Sequence, residues 1–181
     1  MTHSRLAAPS PTPHSPAGSA IARYARAEPG FEARLATTQA LLRQAADSGR
    51  AVQASSLGAE DMVLTDLILS ECLPIEIFSL DTGRLPAETY TLIGEVEKRY
   101  GVKLKVFFPK AEAVEHYVRS YGINAFYESV ELRRACCQVR KVESLRRALA
   151  GKRAWITGLR ASQGATRSEL AAREYDSGNG L

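Results

Sequence analysis

Residues 51–71 hold the feature that most constrains the fold, a short β-prone run followed at once by an amphipathic helix. The run Val52–Ser55 predicts a strand, and the apolar residues after Ala59 recur at helical spacing up to Glu71. Between them lie serines and a glycine, which are typical of a tight turn. Because the first N–H groups of a helix are unpaired and carry partial positive charge, this turn suits an anion, above all a phosphate.

The same alternation of strand and helix continues along the chain. Apolar periodicity predicts further strands at Pro74–Leu80, Lys103–Phe108 and Arg153–Thr157. It predicts helices at Ile21–Arg50, which Pro29-Gly30 divides into a short and a longer piece, and at Pro86–Tyr100, Ala111–Tyr121 and Val130–Ala150. Strands that alternate with helices predict an α/β fold with a doubly wound, mostly parallel sheet.

Length and composition indicate one globular domain. The chain has 181 residues, of which 45% are hydrophobic and 24% charged. Residues 1–20 are rich in proline and serine, so we expect a disordered tail there and a single domain over residues 21–181. The net charge of +4 is too weak to indicate a nucleic-acid partner, and without a run of about 18 apolar residues no membrane span is expected.

The cysteine pattern points to a reducing compartment. The chain has three cysteines, Cys72, Cys136 and Cys137. Adjacent cysteines are poorly placed for a disulfide, and an odd count is not a secreted framework, so the cytoplasm is expected. Cys72 ends the helix after the first strand on its apolar side, and we expect a small core residue there.

Three loops follow three of the predicted strands, at Ser55–Asp61, Leu80–Gly83 and Gly158–Arg167. In a doubly wound sheet all three would lie along one edge, where ligands bind. Their serines, glycines and arginines favour a nucleotide-like anion, since a guanidinium matches phosphate or sulfate bidentately. The first turn is neither a Walker loop nor a G-x-G-x-x-G motif.

The pair Cys136–Cys137 precedes two basic residues, Arg140 and Lys141, on the predicted long helix. Neighbours on a helix point about 100° apart, so one thiol can face the core and the other a cavity. Two packed cysteines and a thiolate metal site both remain open here, since zinc and iron–sulfur clusters favour thiolates. A closed site needs about four ligands, and Cys72 is the one further thiol.

Four motifs taken together resemble the assimilatory adenylyl-sulfate / phosphoadenylyl-sulfate reductase family. They are SSLGAED at 55–61, LDTG at 80–83, NAFYESVELRRACCQVRKVESL at 124–145 and TGLRASQGATR at 157–167. The resemblance covers roughly residues 35–177 and implies a PP-loop (adenine nucleotide α-hydrolase-like) architecture.

The resemblance also implies a substrate site. The first turn and the LDTG loop would line a nucleotide pocket, and the third loop with the two basic residues would hold the phosphosulfate. The residues so implied are Ser55, Ser56, Gly58, Glu60, Asp61, Leu80, Asp81, Thr82, Gly83, Arg140, Lys141, Gly158, Arg160, Gln163 and Arg167.

By the same resemblance, Cys136 and Cys137 would supply half the ligands of a [4Fe–4S] cluster, and the substrate would be adenylyl sulfate. In that family a cysteine thiolate attacks the sulfate sulfur and expels AMP, and thioredoxin then releases sulfite from the thiosulfonate. The family's second cysteine pair and its catalytic cysteine have no counterpart in this sequence. We therefore expect a truncated reductase that binds adenylyl sulfate without turnover.

Two other functions stay open at this point. One is an ATP-using PP-loop enzyme that adenylates its substrate, although such enzymes carry S-G-G-x-D-S where this chain has SLGAED. The other is a non-catalytic remnant that binds a nucleotide. If part of the fold is absent, exposed apolar surface would also favour self-association into a homo-oligomer.

Overall fold

The computed structural model describes residues 28–159 and 171–181. Its four strands are β1 (Ala51–Ala54), β2 (Glu76–Leu80), β3 (Lys105–Phe107) and β4 (Ala154–Ile156). They form one sheet in the order β3-β2-β1-β4, and all three pairings are parallel. The chain therefore leaves β1 in one direction along the sheet and later returns to its other side, which confirms the predicted doubly wound parallel fold.

Six α-helices connect and cover the strands within the described residues. They are α1 (Phe31–Asp47), α2 (Ala59–Ser70), α3 (Ala87–Tyr100), α4 (Ala111–Tyr121), α5 (Val130–Cys137) and α6 (Glu143–Leu149). A single 3₁₀ turn, Ala125–Tyr127, precedes α5. The predicted elements differ from these mainly by one to three residues at their ends, where no sharp sequence signal marks the boundary.

The sheet is buried on both faces because successive strand side chains point to opposite sides. Ile77 packs in a core with Leu42 of α1, Ile68 of α2 and Val96 of α3. Its neighbour on β2, Phe78, packs instead in a second core that includes Ala148 and Leu149 of α6. One face of the sheet is thus covered by the first three helices and the other by α6.

The predicted continuous helix over residues 130–150 contains a π-helical segment, Gln138–Val142, between α5 and α6. A π-turn adds a residue to the helical repeat, so the side chains that follow it are rotated relative to an unbroken α-helix. The apolar stripe predicted along this helix, which includes Leu132, Cys136 and Val139, leaves out Arg140, but Arg140 is buried. Arg140 lies four residues after the buried Cys136 and four before the buried Ser144, so it shares their helical face.

The prediction that Cys72 is a core residue is wrong. Cys72 is exposed, and its backbone has the left-handed φ of 52°. It lies just after α2 ends, where the chain turns toward β2, and its N–H donates to the Leu69 carbonyl at 3.2 Å. The turn therefore directs the side chain away from the apolar face that the helical pattern indicates.

The chain divides into two compact units, residues 1–36 and residues 37–181. In the described part of the first unit, Arg34 donates a hydrogen bond to the Pro29 carbonyl at 3.1 Å. The tail predicted over residues 1–20 lies outside the described residues. Among those that are described, no helix combines the length and apolar character needed to cross a membrane.

Candidate functional site

The carboxyl ends of β1, β2 and β4 bring the first turn, the LDTG loop and Gly158 to one edge of the sheet. Sheet-like hydrogen bonds continue past the strand ends at this edge. Ser55 N–H donates to the Phe78 carbonyl at 2.8 Å, and Asp81 N–H donates to the Phe107 carbonyl at 3.0 Å. Both loops therefore leave the sheet from fixed positions.

The turn after β1 carries a strained residue. Leu57 has a left-handed φ of 63°, although its side chain is buried in the apolar core. The Ser55 hydroxyl accepts a hydrogen bond from Leu57 N–H at 3.2 Å and so supports this conformation. Gly58 is the N-cap residue before α2 and provides no side-chain cap. Ser56 and Gly58 are exposed at the start of this helix.

Asp61 connects the β1 turn to the loop after β4. One carboxylate oxygen, Oδ2, accepts hydrogen bonds from Ser56 N–H at 2.7 Å and from the Ser56 hydroxyl at 2.6 Å. The other, Oδ1, accepts from Gly158 N–H at 2.9 Å. The side chain is buried. Both oxygens of this sequence-predicted binding residue are thus engaged by protein donors.

Two buried polar residues beneath Asp61 were not identified from the sequence. The Gln53 side chain donates to the Asp61 carbonyl at 2.8 Å, and its own carbonyl oxygen accepts from the Thr65 hydroxyl at 3.1 Å. These bonds join β1 to the first turns of α2. A polar glutamine inside an otherwise apolar strand is the signal that would have indicated them.

The LDTG loop is closed by hydrogen bonds of its own. Asp81 Oδ1 accepts from Gly83 N–H at 2.7 Å, and Oδ2 accepts from the Tyr90 hydroxyl at 2.9 Å. The hydrogen bond to Asp81 raises the pKa of Tyr90, and desolvation and the charge of Asp81 add to this effect. Tyr90 is a further residue that the sequence did not indicate.

Arg140 reaches the LDTG loop from the π-helical segment. Its Nη1 donates to the Thr82 carbonyl at 2.7 Å, and its side chain is 8% exposed. None of the ion pairs among residues 28–159 and 171–181 includes Arg140. A buried guanidinium is therefore present at the sheet edge without a carboxylate partner from the described part of the chain. Lys141 beside it is exposed.

Arg84 joins the LDTG loop to the segment before α5. It donates to the Ile123 carbonyl at 2.8 Å and to the Asn124 side chain at 3.0 Å. Its guanidinium also lies over the Phe126 ring, 4.7 Å from the ring centre. Arg84 follows LDTG directly in the sequence, but its partners are about 40 residues away and no spacing rule indicates them.

The paired cysteines point to different surroundings. Cys136 is buried with Tyr117 and Ala125, whereas Cys137 is exposed. Desolvation raises the pKa of Tyr117, and the nearby Cys136 raises it further. No group of three or more potential metal-ligating residues occurs in the described part of the chain. The two thiols could serve half of a cluster but do not complete the four-thiolate set that a [4Fe–4S] cluster requires.

Three sequence-predicted residues, Arg160, Gln163 and Arg167, lie outside the described residues. Of the binding residues predicted in the third loop, the structure therefore describes Gly158.

A separate groove of about 260 Å³ runs along α3 and is lined by Glu88 and Glu95 among others. Two carboxylates make that groove unsuitable for an anion.

The fold and this edge define a doubly wound α/β domain with a basic site at the carboxyl ends of its parallel strands. The model of the phosphoadenosine phosphosulfate reductase domain matches residues 50–180. The chain therefore belongs to the phosphoadenosine phosphosulfate reductase domain family.

Named relatives and one solved structure are similar to this chain. Adenosine 5'-phosphosulfate reductase of Allochromatium vinosum is 59% identical over 130 residues, which cover 72% of this chain and 51% of that protein. The Burkholderia cepacia protein of the same name is 51% identical over 154 residues, covering 84% and 62%. The chain thus spans about half to two thirds of the length of these relatives.

The crystal structure of phosphoadenylyl-sulfate (PAPS) reductase from Candida auris, a phosphate complex, has the same fold. It aligns with a TM-score of 0.64 and 24% identity, covering 86% of this chain and 77% of that one.

Proposed function

We propose that this chain binds adenylyl sulfate at the carboxyl edge of its sheet. In this proposal the chain is the nucleotide-binding part of an enzyme that reduces adenylyl sulfate to sulfite and AMP. The observation that carries the proposal is Arg140, a buried guanidinium held against Thr82 without a carboxylate partner in the described part of the chain. The relatives' name supports the choice of substrate.

The physical argument is one of charge compensation. A buried charge is unfavourable unless another charge or several hydrogen bonds compensate it. A phosphosulfate anion would supply that charge, and the planar guanidinium can donate to it while Nη1 keeps its bond to the Thr82 carbonyl. The exposed ammonium of Lys141, the next residue, would add a second positive charge.

The first turn would contribute on the other side of the pocket. Gly58, which has no side chain, is exposed just before α2 begins, so its backbone is accessible to a phosphate or ribose, and the Ser56 side chain beside it is also exposed. The proposed nucleotide contacts come from the residues that the family resemblance implies and that the structure describes. Ser55 and Asp61 would hold the turn in position. The residues proposed to line the nucleotide are Ser56, Gly58, Glu60, Leu80, Asp81, Thr82 and Gly83.

The reaction is a two-electron reduction at sulfur. A thiolate would attack the sulfate sulfur, the bond from sulfur to the phosphate oxygen would break, and AMP would leave, giving a thiosulfonate. A dithiol donor such as thioredoxin would then release sulfite and become oxidised to a disulfide. This chain's residues would bind the leaving phosphate and neutralise its developing charge.

The proposal does not assign the attacking thiolate to Cys72. That residue lies past the far end of α2, about 18 Å along the helix from the β1 turn. The described cysteines are free thiols, which is consistent with the reducing cytoplasm that thioredoxin chemistry requires.

We further propose that Cys136 and Cys137 supply two thiolates to an iron–sulfur cluster. The sequence has only three cysteines, so the remaining ligands would come from outside these 181 residues, either from further chain or from a second copy in a homo-oligomer. When bound, a [4Fe–4S] cluster would add a charged group beside the π-helical segment. No reaction step is assigned to it.

The test is isothermal titration of the 181-residue chain with adenylyl sulfate, AMP and Mg-ATP. We expect micromolar or tighter binding of adenylyl sulfate, weaker binding of AMP, and no turnover of Mg-ATP to AMP and pyrophosphate. Circular dichroism first establishes that the chain is folded. A folded chain that gives no binding heat with adenylyl sulfate would overturn the proposal, and Mg-ATP turnover would favour an adenylating enzyme instead.

A further inference from the structure

The contact between Asp61 and Gly158 joins two loops that are 97 residues apart in the sequence. A Cβ added at Gly158 would lie 2.5 Å from Asp61 Oδ1, 2.7 Å from Asp61 N and 2.9 Å from the Glu60 Cβ. Real Cβ atoms do not approach backbone this closely, so only glycine allows β4 to end against the first turn of α2. The absence of a side chain at residue 158 is a steric requirement of this junction.

The junction between β4 and α2 also requires the carboxylate of Asp61. It accepts three hydrogen bonds from the two loops, two on Oδ2 and one on Oδ1. An asparagine at this position has a single oxygen. Its NH₂ group would face either Ser56 N–H or Gly158 N–H, and donor would then meet donor. One loop would therefore lose its bond whichever way the amide is oriented.

We infer that Asp61 is a positioning residue for the proposed anion pocket, together with Gly158. Its carboxylate holds the exposed β1 turn and Gly158 at a fixed separation. It does not contact substrate, because both oxygens are occupied by protein donors and the side chain is 7% exposed. The inference rests on the proposed function, since the pocket it positions is the adenylyl-sulfate site.

Position along the chain shows why this separation matters. Ser56 and Gly58 are the exposed residues just before α2. Gly158 begins the third loop, and Arg160 follows it by two residues in the sequence. The bonds of Asp61 thus set the distance between the exposed start of α2 and Gly158 at the end of β4.

The experiment compares the wild-type chain with Asp61→Asn, Gly158→Ala and the control Asp66→Asn. Asp66 lies on the same helix, is exposed, and accepts one hydrogen bond from the Tyr100 hydroxyl, which an asparagine oxygen can also accept. Each chain is titrated with adenylyl sulfate, and its thermal unfolding and the amide NMR signals of Ser56 and Gly158 are recorded. We expect about tenfold weaker binding for Asp61→Asn in a folded chain, and unchanged binding for Asp66→Asn.

The NMR signals separate positioning from a merely structural role. With positioning, the folded Asp61→Asn chain shows a shifted amide signal for Ser56 or Gly158 and faster hydrogen exchange there, together with the weaker binding. If Asp61→Asn binds adenylyl sulfate as tightly as wild type, the inference is wrong while the proposed function stands. If wild type itself does not bind, the proposed function fails first. Should Gly158→Ala not fold, Asp61→Asn alone still decides the question.

Discussion

Arg140 Nη1 donates a 2.7 Å hydrogen bond to the Thr82 carbonyl, across 58 residues of sequence. The bond joins the helical segment that carries the paired cysteines to the loop at the end of β2. The donor lies in the π-helical segment Gln138–Val142. Single π-turns inside α-helices occur frequently at functional sites, because the extra residue presents a side chain that an α-helix would direct elsewhere.

Replacing Arg140 should therefore weaken adenylyl-sulfate binding. Lysine keeps the positive charge but cannot donate to the Thr82 carbonyl and bidentately to an anion at once. We expect Arg140→Lys to bind adenylyl sulfate about tenfold more weakly and Arg140→Met to lose a further factor of about ten. Isothermal titration of folded variants measures both changes.

Arg146→Met provides the matched control. Arg146 is an exposed arginine on α6 with the same charge and stem. Its replacement should leave the affinity within about twofold, since an exposed charge is screened by salt. Equal losses at both positions would show that net charge, rather than the placement of Arg140, governs binding.

Gly83→Ala tests the loop that Arg140 contacts. Gly83 has a left-handed φ of 70°, and a Cβ there would lie 3.3 Å from Arg140 Nη1. Gly101, the residue after α3, has a similar φ of 67° with nothing within 4 Å of an added Cβ. We expect both alanine variants to lose about 1 kcal/mol of unfolding free energy through backbone strain. Only Gly83→Ala should also weaken adenylyl-sulfate binding.

Chemical denaturation followed by titration separates these two effects. The Gly101 variant gives the strain alone, so any additional loss of affinity at Gly83 reports the displaced guanidinium. If Gly83→Ala binds as tightly as Gly101→Ala, then Arg140 adjusts freely and its placement against the loop has no role in binding.

The order of strands and helices could be predicted because each buried strand is a short apolar run that ends in turn residues. The edge that gathers the loops follows from this order alone, since parallel strands present their carboxyl ends together. The same order predicts that Ser55 and Asp81, which follow β1 and β2, lie at this edge.

The contacts within the edge could not be predicted. Arg140 is buried although Lys141 beside it is exposed, and positive charge alone predicts exposure for both. Tyr90 and Arg84 make their bonds through folded geometry that no local pattern encodes. Cys72 continued the apolar side of a helix in the sequence, but the helix ends before it and the backbone turns left-handed.

The hydroxyl of Tyr90 should make stability depend on alkaline pH. Its folded-state pKa lies above the ordinary value of 10.0, chiefly because it donates a hydrogen bond to Asp81. A raised pKa means that the contribution is fully present below the unfolded-state pKa and is lost as pH rises through the folded-state value. Wild type should therefore lose stability above about pH 10 more steeply than Tyr90→Phe.

Thermal unfolding of both chains from pH 7 to pH 11 provides the measurement. Tyr121→Phe is a suitable control, because Tyr121 is also exposed and lies at the end of α4. Parallel pH profiles for wild type and Tyr90→Phe would contradict the hydrogen bond between Tyr90 and Asp81.

The surroundings of the three cysteines predict distinct chemical behaviour. Cys72 and Cys137 are exposed and Cys136 is buried, so a maleimide reagent should label the first two rapidly and the third only on unfolding.

Cys72→Gly should also leave the unfolding free energy unchanged or raise it by up to about 1 kcal/mol, because glycine relieves the left-handed φ of 52°. Cys136→Ser should lower it by about 1–2 kcal/mol, because it places a hydroxyl in an apolar cluster. Mass spectrometry of labelled peptides measures the labelling, and denaturant titrations measure the unfolding free energies. Slow labelling of Cys72 together with a marked loss of stability in Cys72→Gly would show that Cys72 is a core residue after all.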